Sequence, residues 1–177
     1  MPRMDVPTLR GTLVTLRPAR RDDLDRLREI LLQPGVARWW GGPRDDPAFD
    51  VAADWLDGDE TDAVFVIEVD GRTVGSIQFG QELEPDYRHG TIDLFLEADH
   101  QGRGLGPDAI RAVARYLFDV LGHHRITIDP SAANDRAIRA YERVGFRPIG
   151  RMRGYERGPD GTWHDGLLMD LLRDELR

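Results

Sequence analysis

Residues able to do chemistry cluster at a few places in the sequence. Gln101-Gly102-Arg103-Gly104-Leu105-Gly106 stands between an apolar run, Thr91 to Glu97, and a stretch with helical spacing. Glycines at such a junction let the backbone bend sharply and approach a ligand, and amides at a helix N-terminus attract anions. The hexapeptide alone reads equally well as a plain turn, so its neighbours must decide. It lacks the Gly-x-x-x-x-Gly-Lys-Ser/Thr pattern of a nucleotide P-loop. Pro107 has no N–H to offer, although proline suits a first helical turn. Asp108 sets a negative charge beside the same turn, which leaves Arg103 as the expected compensating cation.

The second centre is Asp93, within Ile92-Asp93-Leu94-Phe95-Leu96. A carboxylate in a mostly apolar strand either lies on the wet face of the alternation or serves a partner or a function. As a base it could take a proton from a nucleophile. Asp129, at the end of the short run Arg125 to Ile128, and the loop acids Glu82, Glu84, Asp86 and Asp165 are either solvated charges or partners for a cation. Trp40 could stack on a ring or a cation. His89, His100, His123, His124 and His164 lack metal-site spacing, and no metal is expected.

Composition removes other chemistries. Cysteine is absent, which excludes disulfides, thiolate metal sites and a cysteine nucleophile. Of the 24 basic residues every one is arginine, against 32 acids, for a net charge of −8. Schiff-base catalysis is excluded, a nucleic-acid backbone is a poor partner, and a cationic small molecule suits the charge. No run of about 18 apolar residues occurs and no secretory leader is evident, so the chain reads as cytoplasmic and not membrane-bound.

The positioning elements follow from periodicity. Thr12 to Pro18 alternates as a half-buried strand, and Asp22 to Leu32 carries Leu24, Leu27 and Leu31 at helical spacing. Val36–Trp40 and Phe49–Leu56 read as short helical pieces. Ala63–Val69 and Arg72–Phe79 flank Asp70-Gly71 as a hairpin. Thr91–Leu96 is a strand, Asp108–Leu121 a helix, Arg125–Ile128 a strand and Asn134–Val144 a helix. Two strands between Phe146 and Leu172 surround Gly158 to Gly161. One domain over residues 1–177 is the expected organisation, of α+β (α/β-like) class, with no linker or repeat.

Asn134-Asp135-Arg136-Ala137-Ile138-Arg139-Ala140-Tyr141-Glu142-Arg143-Val144-Gly145-Phe146 matches Asn-x-x-Ala-x-x-x-Tyr-x-x-x-Gly-Phe. Asn134 and Gly145 are also good helix caps. With the Gln-x-x-Gly-x-Gly spacing of Gln101 to Gly106, this motif resembles the GNAT superfamily of acyl-CoA N-acyltransferases. The resemblance implies a GNAT fold, a central mixed, mostly antiparallel sheet of about seven strands flanked by helices. It implies acetyl-CoA held by Gln101, Gly102, Arg103, Gly104, Leu105, Gly106 and Asn134. It also implies that Tyr141, unless it is a core tyrosine, protonates the departing thiolate; because amine attack on a thioester needs a neutral nitrogen, Asp93 is the candidate base.

Trp39-Trp40-Gly41-Gly42, Asp93 and Asp129-Pro130-Ser131-x-x-Asn134 are similar to segments of aminoglycoside 6'-N-acetyltransferases. That resemblance implies antibiotic resistance and a multiply cationic substrate bound by Trp40, Asp129, Glu82, Asp86 and Asp165. A siderophore-assembly lysine or hydroxylysine acyltransferase, which shares the Trp-Trp-Gly element, and a non-catalytic acyl-CoA-binding module are the alternatives. Either a monomer or a homodimer is compatible with the sequence.

Overall fold

In the computed structural model, residues 4–40 and 60–177 are described. The expected helical piece at Phe49–Leu56 lies outside them. Eight strands form one mixed sheet in the order β1-β2-β3-β4-β5-β6-β8-β7. They are β1 (Leu9–Arg10), β2 (Thr15–Pro18), β3 (Ala63–Val69), β4 (Arg72–Glu82), β5 (His89–Leu96), β6 (Arg125–Ile128), β7 (Arg147–Arg157) and β8 (Trp163–Leu172). Among them only β5 and β6 run parallel.

The helices cover both faces of this sheet. A 3₁₀ turn at Arg21–Asp23 leads into α1 (Leu24–Leu31), and the one-turn α2 (Pro34–Ala37) follows. Leu27, Ile30, Leu31 and Val36 pack with Val64, Val66 and Phe95. On the opposite face α3 (Leu105–Arg115) lays Ala109, Ile110 and Val113 in one cluster with Phe65, Ile67, Ile77 and Ile92. β3 therefore buries both its odd and its even residues, which is why it reads as a continuous apolar run rather than an alternation. α4 (Asp135–Val144) is capped by Asn134, whose side chain accepts the Ala137 N–H at 3.2 Å, and ends at Gly145 with φ of 120°. A Cβ at Gly145 would stand 2.1 Å from the Glu175 carbonyl oxygen, so only glycine lets the C-terminal segment pass this close.

Several boundaries differ from expectation. The strand expected over Thr12–Pro18 is β2 and begins at Thr15, because the amides of Thr12, Leu13 and Val14 donate to the Asp108 carboxylate at 3.0, 2.7 and 3.1 Å and not to a neighbouring strand. The two-residue β1 has too few residues for a periodic signal, and it makes eight strands of the expected seven. The helix after the glycine turn starts at Leu105, three residues before Asp108, because Gly104 in the left-handed region (φ 81°) turns the chain into it. Beyond Arg115 it winds on as a π-turn, Tyr116–Val120. No helix among the described residues is long and apolar enough to cross a membrane.

Candidate active site

The site begins where two strands part. β5 and β6 pair only at Gly90↔Ile126 and Thr91↔Thr127, yet β5 runs on to Leu96. A cleft opens in the fork, walled by Leu94, Phe95 and Leu96 on one side and by Asn134, Ala137, Ala140 and Tyr141 of α4 on the other. Gly102, Gly104, Gly106 and Pro107 close its end. Gly102 and Gly104 both have positive φ, 77° and 81°, and the N–H groups of Gly102 through Gly106 meet no protein acceptor among the described residues. Gln101 Nε2 donates to the Leu96 carbonyl at 2.8 Å and ties the turn to the strand end. Unpaired amides at the head of an eleven-residue helix form an anion cradle. This arrangement fits the pyrophosphate of a coenzyme A thioester, with the fork as the track for its pantetheine arm.

Register explains the second half of the site. Counting two residues on from Thr91↔Thr127 reaches Asp93 on β5 and Asp129 just past β6. Both stand level on the same face of the sheet, across a gap that is already widening. Tyr155 from β7 donates its hydroxyl to Asp129 Oδ2. A Cβ at Gly166 would lie 2.8 Å from the Tyr155 ring, so this glycine is what lets the ring settle over β8. Asp93, Asp129 and Tyr155 line a hollow of about 540 Å³ with Asp62 and Gln78, within the ~300–1,000 Å³ usual for small-molecule sites. A connecting hollow joins Asp93, Asp129, Tyr155 and Glu156 to Tyr141 and Trp40. Tyr141 thus borders both the fork and the acid-lined hollow.

The electrostatics follow from this crowding. Enclosure by the walls of the hollow, and then the negative charges of Asp129 and Glu156, push the Asp93 carboxyl up to about 7, against a smaller lowering by the Leu94 N–H, which donates to it at 2.9 Å. Water still reaches Asp93 from the hollow, so it can exchange protons. Burial, and then the charges of Asp93 and Asp129, raise the Tyr141 hydroxyl above the usual phenol range and keep it a proton donor. Its hydrogen bond to Asp129, ahead of burial, raises Tyr155 to about 12. Burial and Asp129 raise Glu156 as well, with His164 opposing. A base poised near neutrality opposite a protonated phenol can move a proton in from one side and out from the other.

Not every residue singled out in the sequence comes to this place. Trp40 lines the connecting hollow, but its ring stands edge-on to Phe95 at 5.1 Å between centroids, at the border of the α1 core. Glu82 pairs with His89, four residues along β4 from Gln78, the partner of Asp93; at ~3.3 Å per residue that is about 13 Å away. Its carboxylate accepts the Glu84 N–H at 2.8 Å. Asp86 is exposed in the β4–β5 loop and lines none of these hollows. Asp165 also points elsewhere: it accepts the Gly154 N–H at 2.8 Å and meets Arg151 Nε at 3.0 Å. By holding the bulge at Gly154 it aims the following Tyr155 inward. Arg103 is exposed and does not border the fork. Asp108 is buried against residues 12–14, so its charge is turned away from the anion cradle. Tyr155 and Glu156 escaped the sequence reading because β7 carries mainly exposed polar residues and its bulge is invisible without the partner strand.

The GNAT acetyltransferase domain model matches residues 14–147. The chain belongs to the GNAT acetyltransferase family. The aminoglycoside N(6')-acetyltransferase type 1 of Klebsiella pneumoniae is 32% identical over 163 residues, 84% of this chain and 79% of that protein. The spermidine N(1)-acetyltransferase of Escherichia coli K12 is 28% identical over 167 residues, 92% of this chain and 87% of that one. Among solved structures, that of AAC(6')-Ib with paromomycin and acetyl-CoA superposes with a TM-score of 0.71 at 29% identity, over 92% of this chain and 95% of that one. The GNAT match takes in the fork, the glycine turn and the Asn134–Tyr141 helix face. It stops before Tyr155 and Glu156, so part of the acid-lined hollow is supplied by residues outside the matched segment.

Proposed function

We propose that this N-acetyltransferase carries the acetyl group of acetyl-CoA to a primary amine of a polycationic small molecule, with the 6'-amine of an aminoglycoside as its preferred acceptor. The observation that carries this reading is the position of Tyr141, shared between the fork and a hollow whose walls bear Asp93, Asp129 and Glu156. A substrate with several ammonium groups pairs with such walls; a singly charged amine leaves carboxylates uncompensated.

Acetyl-CoA would supply the thioester, the acetyl carbonyl being the electrophile. The amides of Gly102 through Gly106 hold its pyrophosphate, and the β5 edge from Asp93 to Leu96 aligns the arm. Asp93 accepts a proton from the substrate ammonium, directly or through water. The neutral nitrogen then attacks the acetyl carbon; as the C–N bond forms and the C–S bond breaks, Tyr141 gives its proton to sulfur, and the second proton shed by the nitrogen passes through water to the Tyr141 phenolate, leaving a neutral amide and restoring the phenol. Tyr141→Phe is expected to lower kcat about ten- to hundredfold while leaving the Kd of coenzyme A nearly unchanged. Unaltered kcat in that variant would remove the phenol from the proton path.

A thiol-release assay with acetyl-CoA and a kanamycin-type aminoglycoside, spermidine or lysine as acceptors tests the reading. The expected order has the aminoglycoside at least about tenfold ahead in kcat/KM, the low end of what one well-placed charge contact contributes. Spermidine is the specific competitor, given the 28% identical relative, and a preference for it would reassign the acceptor. Absence of thiol release with all three would point to a module that binds without turning over.

A further inference from the structure

Most ion-paired arginines here are tied down: Arg17, Arg26, Arg125, Arg147 and Arg151 each meet a carboxylate within 3.1 Å. Arg38, Arg136 and Arg139 behave differently. None has a carboxylate partner among the described residues, and all three line one hollow of about 480 Å³ with Trp39, Gln101 and Asn134. In a chain of net charge −8, three unpaired guanidinium groups facing one space form a local reversal of sign. Asp135 is the one acid on its rim.

The elements impose this convergence. Arg136 and Arg139 are three apart on α4, neighbours on one side of the helix. At ~100° per residue that side lies well away from the direction of Tyr141. Arg38 comes from the opposite wall, just after α2, with its guanidinium carbon 4.4 Å from the centre of the Trp39 ring. That stacking holds the planar group in place while leaving its edge donors free.

Position selects the ligand. The hollow shares Gln101, Asn134 and Arg136 with the fork, and Gln101 is the residue immediately before the free amides. Coenzyme A carries two anionic groups, the pyrophosphate and, one ribose away, the 3'-phosphate. With the first on the Gly102–Gly106 amides, the neighbouring cationic hollow is where a phosphomonoester dianion would find guanidinium forks that match its oxygens. We propose that Arg38, Arg136 and Arg139 receive the 3'-phosphate of coenzyme A, so that the protein discriminates the coenzyme from its 3'-dephospho form. This rests on the acetyl-CoA reading above.

Calorimetric titration of the full chain with coenzyme A and with 3'-dephospho-coenzyme A separates the two claims. The expected result is that coenzyme A binds about ten- to hundredfold more tightly, the range for charge-assisted contacts to one group, and that the ratio shrinks with added salt. In the Arg136→Ala/Arg139→Ala variant the ratio should fall to near one. Arg38→Gln, on the opposite wall, should lower it partway. Equal affinities in the unaltered protein, or a ratio that the double variant leaves intact, would overturn the assignment while the acetyl-CoA reading stands. Failure of both ligands to bind would sink that reading instead.

Discussion

Asp93→Asn is expected to lower kcat by about a hundredfold or more, the usual worth of a positioned general base, with coenzyme A affinity changed by less than about threefold because the cradle amides are untouched. The pH profile supplies the sign. A carboxyl held at about 7 accepts a proton only once ionised, so kcat/KM should climb as pH rises through about 7, and the Asn variant should lose that limb. Stability should move the other way. Because the folded-state value lies above the ordinary 3.8, the folded protein resists an ionisation that the unfolded chain undergoes freely. The penalty is absent below about pH 4, grows across the interval and is complete above about 7. Asp93→Asn should therefore raise Tm by a few degrees at pH 8 and leave it unchanged near pH 4, the effect being moderated by water in the hollow. A Tm that falls at both pH values would show that the carboxylate is structural rather than poised.

Asp108→Ala is expected to be the most damaging single change to the fold. One carboxylate satisfies three consecutive amides, those of Thr12, Leu13 and Val14, and a buried donor without a partner costs about 1–3 kcal/mol. With partial relaxation a loss of ~3 kcal/mol is reasonable, or roughly 6–12 °C in Tm for a chain of this size. Gly11→Ala should give a similar phenotype by a different route, since its Cβ would land 2.2 Å from Asp108 Oδ2. Because Asp108 lies in the first turn of α3, the head of that helix should loosen in both variants, and the KM for acetyl-CoA should rise with the fall in Tm. Thermal unfolding together with acetyl-CoA saturation curves checks this; a variant with wild-type Tm would show that those amides find other acceptors.

Asp108 also shows where one-dimensional reading stops. Its position in the first helical turn is legible, but a charge beside an anion cradle and a charge turned toward residues 12–14 share the same sequence, and only the packing of the β1–β2 turn decides between them. The hairpin Ala63–Val69 and Arg72–Phe79, whose second strand runs on to Glu82, the α4 caps and the glycine turn were all legible, because each is dictated by local chemistry: Asp70-Gly71 at positive φ, Asn134 on the Ala137 amide, and glycines in the left-handed region. The placement of Asp93 opposite Asp129 depends on a parallel register between strands some thirty residues apart. Tyr155 and Glu156 depend on a bulge set by Gly154 and Asp165. Asp165 attracted notice as an acid near the last strand, yet hydrogen bonding assigns it to aiming Tyr155. Sequence pattern identifies which acids are present; which of them share a hollow is decided by pairing across the sheet.

The strand order β6-β8-β7 has a consequence for how the protein comes into being. The strand that leaves the ribosome later, β8, is the one inserted between its two predecessors, and it clamps the Pro130–Ala132 segment through Leu167 and Asp165. Asp129 and Tyr155 can therefore meet only after the chain through Leu172 has been synthesised. In a nascent polypeptide the glycine turn and the capped helix precede β8, so the acid-lined hollow is completed only when the last strand enters the sheet.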